Sequence, residues 1–128
     1  MTAILANMAA VALGGALGAV ARYLVTGWVG AWLGRSFPWG TLTVNVTGSL
    51  LMGMLFHLLV ERWGPAPLWR MLLMVGVLGA FTTFSSFALE TLQLLETGLT
   101  SSAALNILAS VILCLLAVWA GVVLARLL

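Results

Sequence analysis

The chain has 128 residues, 63% of them hydrophobic and only 6% charged, with a formal net charge of +2. Its mean hydropathy is +1.21, whereas a soluble domain carries about a quarter charged residues, so the composition excludes an ordinary water-soluble fold and indicates an integral membrane protein. There is no Lys and no Asp; Arg22, Arg35, Arg62, Arg70 and Arg126 stand against Glu61, Glu90 and Glu96, leaving no charged run to bind nucleic acid or a soluble partner.

The first apolar segment covers 3–33 and ends at Gly34-Arg35-Ser36-Phe37-Pro38. No positive side chain precedes Arg22 and the apolar run is too long for a signal-peptide core, so this segment is expected to stay in the mature chain. Gly14 and Gly18 form a small-xxx-small pair that lets helix backbones approach closely.

The second segment, 39–60, sets Thr41, Asn45, Gly48 and Ser49 on one side of a 3.6-residue helix. Asn45 is the strongest hydrogen-bonding group near mid-membrane, and such a residue either bonds a neighbouring helix or faces a cavity. Ser49 and Gly53 form another small pair, and His57 and Glu61, one turn apart, are expected at the headgroups.

The third segment, 68–95, carries the densest pattern. Gly79-Ala-Phe-Thr-Thr-Phe-Ser-Ser-Phe87 sets four hydroxyls among three phenylalanines, and polar groups at membrane depth are tolerated only within a bundle or along a cavity. Thr83, Ser86, Glu90, Gln93 and Thr97 recur every three or four residues on one face. A row of hydroxyls leading to a carboxylate reads as a wetted pathway or a helix interface, with Glu90 a functional candidate. Gly76, Gly79 and the β-branched Thr82 and Thr83 leave two conformations open. The helix either unwinds near Gly79 to Thr82, exposing carbonyl oxygens that suit a small hard cation, or continues with its hydroxyls bonded to i−4 carbonyls. Phenylalanine ring edges are positive and favour an anion, although three Phe at this spacing also serve plain packing.

In the fourth segment, 102–124, Asn106, Ser110 and Cys114 recur every four residues, a second polar stripe whose default role is helix contact. Cys114 is the single cysteine, so no disulfide within the chain is possible. About 20 helical residues cross a bilayer core, so each segment is long enough. The short loops make one four-helix unit, 1–128, with consecutive helices antiparallel. Trp28, Trp32, Trp39, Trp63, Trp69 and Trp119 lie mostly near segment ends, as interfacial belts do. Arg62, Arg70 and Arg126 fall on the side of the N-terminus and Arg35 on the other, which favours a cytoplasmic N-terminus by a margin small enough to be compatible with both orientations.

Gly79-x-x-Thr82-Thr83-Phe84-Ser85-x-Phe87 with Glu90, Pro38-Trp39-Gly40-Thr41-x-x-x-Asn45 and Gly18-x-x-x-Arg22 together resemble the CrcB/Fluc fluoride channels, in order and over nearly the whole chain. That resemblance implies an all-α membrane protein with four transmembrane helices per chain, the third broken near its middle, assembled as an antiparallel dual-topology homodimer. It implies passive, selective fluoride efflux across the bacterial cytoplasmic membrane through two pores per dimer. Asn45 then matches a pore-facing asparagine, and Phe84 and Phe87 the phenylalanines whose edges line the pores. Thr83, Ser86 and Ser110 match a polar track with Glu90 near its outlet. Gly79 and Thr82 match positions whose backbone carbonyls hold a central structural sodium ion (Na+). Arg22 matches a first-helix arginine that either draws anions to a vestibule or bonds backbone at a helix end. Ser86 replaces a threonine common in the family, Phe81 is unassigned, and Asn106 stands where relatives carry a hydrogen-bonding tyrosine. Its partners are fluoride, membrane lipid and a second copy of itself, with no nucleic acid.

An alternative is a proton-coupled small multidrug or guanidinium exporter, but such proteins rely on a carboxylate within the first helix, where this chain has only Arg22. A third is a non-transporting assembly protein. No nucleophile-base or metal-ligand constellation suggests an enzyme.

Overall fold

The computed structural model describes residues 1–62 and 67–128, and every regular element among them is helical. Trp63, expected at a segment end, lies outside the described residues. Four spans, Thr2–Leu33, Trp39–Arg62, Pro67–Glu96 and Thr100–Arg126, are each long and apolar enough to cross a membrane. The second ends in a π-helical stretch, His57–Arg62, and the third winds through another, Arg70–Leu78.

Two glycines close spans. Gly34 has φ +83° and its N–H reaches Gly30 O, while Gly98 has φ +80°. After the third span, Gly98 N–H donates to Leu95 O and Leu99 N–H to Leu94 O, the paired bonds of a Schellman motif, which needs a left-handed residue at that point.

Packing does not follow chain order. The first span lies chiefly on the third, and the second on the fourth. The cause is where side chains are missing. A Cβ on Gly14 would stand 2.2 Å from Leu72 O, and one on Gly18 2.1 Å from Val77 O. Gly53 and Gly121 meet in the same way, with 2.1 Å to Val118 O and to Leu50 O respectively. Backbone contact this close is how membrane helices associate when burial of apolar surface from water gives no drive between them. Gly53, one of the small pair in the second span, therefore works with Gly121 across the helix pair.

Candidate functional site

At the middle of the third span the helical winding stops. Thr82 (φ −84°, ψ 158°) and Thr83 (φ −153°, ψ 117°) are extended between the helices Gly79–Phe81 and Phe84–Glu96. Asn45 holds this segment with both ends of its amide: Nδ2 donates to Thr83 O at 3.0 Å, and Thr83 N–H donates to Oδ1 at 2.7 Å. Freed backbone groups at membrane depth require such partners. Thr83 also caps the following helix, its Oγ1 accepting from Ser86 N–H at 3.2 Å and donating to Ser86 Oγ at 3.1 Å. Thr82 Oγ1 bonds back to Leu78 O. Beneath it Gly48 leaves the space: a Cβ there would come 2.3 Å from Thr82 Cγ2 and 3.3 Å from the Phe81 ring. Gly48 belonged to the polar stripe of the second span, and its lack of a side chain was the signal for this close approach.

Beside the extended pair runs an open groove of about 470 Å³. Its polar portion is formed by Asn45, Ser49, Thr82, Thr83 and Ser110, and Phe84 and Phe87 line it with ring centroids 5.3 Å apart at 51°. Phe84 is 78% exposed, so this wall has no cover within one chain. Cys114 also reaches the groove, one turn beyond Ser110 on the stripe that the fourth segment displayed.

Other candidates lie apart from the groove. Glu90 Oε1 accepts from Thr41 Oγ1 at 2.8 Å, tying the start of the second span to the third, while its Oε2 is buried without a partner. Ser86 is engaged by Thr83, and Gly79 keeps helical dihedrals of −61° and −35°. The stripe beyond Glu90 does not continue as read: Gln93 is exposed, and Thr97 Oγ1 turns back to Gln93 O. His57 and Glu61 bond each other at 2.6 Å.

Arg22 Nη1 donates to Thr82 O at 3.4 Å, a contact with backbone at the end of the helix Gly79–Phe81. Asn106, 1% exposed, donates to Thr91 Oγ1 at 2.9 Å and accepts from Ser110 Oγ at 3.5 Å. Thr91 as the partner of Asn106 was not readable from spacing, because it depends on how the third and fourth spans face.

For a cation, the donor chemistry fits. In a continuous helix the Gly79 carbonyl would accept from Thr83 N–H, but that hydrogen is given to Asn45, and Thr82 O receives only a long contact from Arg22 among the described residues. Carbonyl oxygens released in this way are hard ligands of the kind sodium prefers.

Four membrane-capable helices define a multi-pass membrane protein, and the second, third and fourth of them line a groove with hydroxyl, amide and aromatic groups beside the middle of the third span. The chain belongs to the family described as CrcB-like protein, Camphor Resistance (CrcB), whose profile matches residues 9–122. Among curated relatives, the "Fluoride-specific ion channel FluC" of Magnetococcus marinus is 56% identical over 121 residues, 94% of this chain and 98% of that protein. Those of the same name from Geobacter sulfurreducens and Coxiella burnetii are 51% identical over 126 residues and 50% over 121, each alignment covering 98% of the relative and 98% and 94% of this chain.

Proposed function

We propose that this protein is a fluoride-selective ion channel, not an enzyme, giving passive efflux across the bacterial cytoplasmic membrane as an antiparallel, dual-topology homodimer with two pores. The observation that carries the reading is the pairing of the Phe84 and Phe87 rings with the hydroxyls and amide of one mid-membrane groove. Relatives at 50–56% identity bearing the fluoride-channel name support the choice of ion.

The third span acts as a broken helix. The break supplies an electrostatic device: Phe84–Glu96 starts in the middle of the span Pro67–Glu96, and a helix N-terminus carries about half a positive charge. Fluoride leaves water at a large cost, which is offset only where donors replace its hydration shell. The Ser110 hydroxyl, the Asn45 amide hydrogen not given to Thr83 and the positive ring edges provide them in the groove, and Thr83, bonded to Ser86, continues the polar track beside it. Asn45 does so while pinning the break, so it orients the site as well as facing it. Glu90, held by Thr41, sits toward the end of this track, where the ion returns to water. Chloride, being larger, needs a wider passage between the rings.

Bound at the centre of the dimer, sodium would supply a fixed positive charge held by the Gly79 and Thr82 carbonyls. Arg22 adds a cation beside Thr82, steadying the carbonyl end of the break. Membrane lipid covers the remaining apolar faces.

The test is efflux from liposomes holding the purified protein. Fluoride should leave rapidly under its own gradient, without a proton gradient, while chloride is retained; comparable chloride flux or a requirement for protons would overturn the reading.

A further inference from the structure

Hydroxyls on these spans follow a habit. Thr26, Thr47, Thr82, Thr91 and Thr97 each donate to the main-chain carbonyl four residues back, at 2.7 to 3.0 Å. That internal bond is the usual sink for a hydroxyl proton in a membrane helix, and a hydroxyl so engaged offers its neighbours lone pairs rather than a donor. Ser110 departs from the habit. It donates to the residue four back, but to the side-chain oxygen of Asn106, at 3.5 Å, the outer limit of a hydrogen bond.

The orientation of Asn106 is fixed from the other side. Thr91 Oγ1 donates to Phe87 O at 2.7 Å, which commits its hydrogen, so it receives from Asn106 Nδ2 at 2.9 Å. With the amide nitrogen on Thr91, the amide oxygen must face Ser110. Asn106 is 1% exposed, with Thr91 and Ser110 each at 7%, so the three form a buried relay from the Phe87 turn to the groove. Only Ser110 and Phe87 of this set line the groove.

We propose that Asn106 is a positioning residue for conduction: its amide draws the Ser110 hydroxyl away from the helix carbonyl and holds it by a bond weak enough for an anion in the groove to replace. An anion takes a hydroxyl proton in a charge-assisted bond, stronger than a neutral one, and here it displaces only a 3.5 Å contact. When the ion moves on, the amide oxygen receives the hydroxyl again. The inference rests on the channel reading above and adds to it a residue outside the groove that sets one of its donors.

The experiment measures fluoride flux against fluoride concentration in proteoliposomes for the full-length wild type, Asn106→Leu, Ser110→Ala and the double variant. Without the amide, the Ser110 hydroxyl falls to the main-chain carbonyl of residue 106. Asn106→Leu should therefore raise the half-saturating fluoride concentration about three- to tenfold, the worth of one hydrogen bond, as Ser110→Ala does. The double variant should be no weaker than Ser110→Ala alone. A purely structural role would lower the maximal flux through fewer assembled channels and leave half-saturation in place; that result, or fold-changes that multiply in the double variant, overturns the proposal. Should Asn106→Leu fail to assemble, Thr91→Val, which removes only the hydroxyl orienting the amide, takes its place in the same cycle. A wild-type chain passing no fluoride sinks the channel reading itself, whereas a conducting wild type with multiplying effects rejects the role of Asn106 alone.

Discussion

Asn45 bonds one residue with both ends of its amide, donating one hydrogen to the carbonyl of Thr83 and accepting from its N–H. The arrangement copies a β-ladder rung with a side chain, and it satisfies the Thr83 N–H that the extended turn takes out of the helix while adding a donor to the carbonyl that opens Phe84–Glu96. Removing it strands the Thr83 N–H, at about 1 to 3 kcal/mol if buried and unpaired, and takes from the Thr83 carbonyl one of its two bonds. Asn45→Leu is expected to destabilise the protein by about 2 to 4 kcal/mol, read from unfolding of the purified protein in detergent. Thr41 makes the same point on a smaller scale. It is the single partner of the Glu90 carboxyl among the described residues, and Thr41→Val should cost about 1 kcal/mol in that unfolding measurement.

Helices in this protein are held at points where side chains are absent. Gly53 and Gly121 each bring a Cα hydrogen against the partner helix's carbonyl, and an added methyl at either would stand 2.1 Å from backbone oxygen, which cannot rotate away. Gly53→Ala and Gly121→Ala should each cost about 1 to 3 kcal/mol or more through forced separation of the second and fourth spans. Gly15, whose added Cβ meets nothing within 4 Å, is the control: Gly15→Ala should unfold like wild type, and equal damage from all three would reject close approach as the cause. These contacts also mark the limit of what was legible in the sequence. The four spans were readable because hydropathy and length suffice to define them, and Gly14 with Gly18 announced a close-packed face. Which helix meets that face is not encoded in spacing, so the alternating packing and the role of Gly121 were not foreseen. The same holds for the site. Asn45, Thr83, Ser110, Phe84 and Phe87 stood out as polar or aromatic residues in apolar runs, and they share one groove. The bonds of Thr41 to Glu90 and of Asn106 to Thr91 join residues 49 and 15 positions apart, and pairing of that kind emerges only once three helices have chosen their rotations. At the end of the stripe the helix stops before Gly98, and the Thr97 hydroxyl is used by its own last carbonyls.

A single copy leaves much of itself uncovered. In no span is more than 22% of its most apolar window buried, and the groove that holds the polar residues is open along the side where Phe84 projects. An ion in that groove would touch lipid, where its desolvation has no compensation, so conduction needs another surface against the Phe84 face. The antiparallel second copy proposed above, related by a two-fold axis, would present the same face in return. The arginine distribution, three near one side and one near the other, imposes only a small preference against this. Phe84 distinguishes such a closed pore from a groove that works alone. Its ring meets Phe87 but little else within the chain, so Phe84→Ala should leave the packing of an isolated copy almost intact while lowering fluoride flux by an order of magnitude or more and weakening dimerisation in lipid. Subunit counting in liposomes at increasing dilution measures the dimer, and a reporter fused after Leu128 measures topology. Two copies per channel with the reporter on both sides of the membrane is the expected result; a reporter confined to one side would rule out the antiparallel pair, and full flux from isolated single copies would mean that the open groove needs no partner.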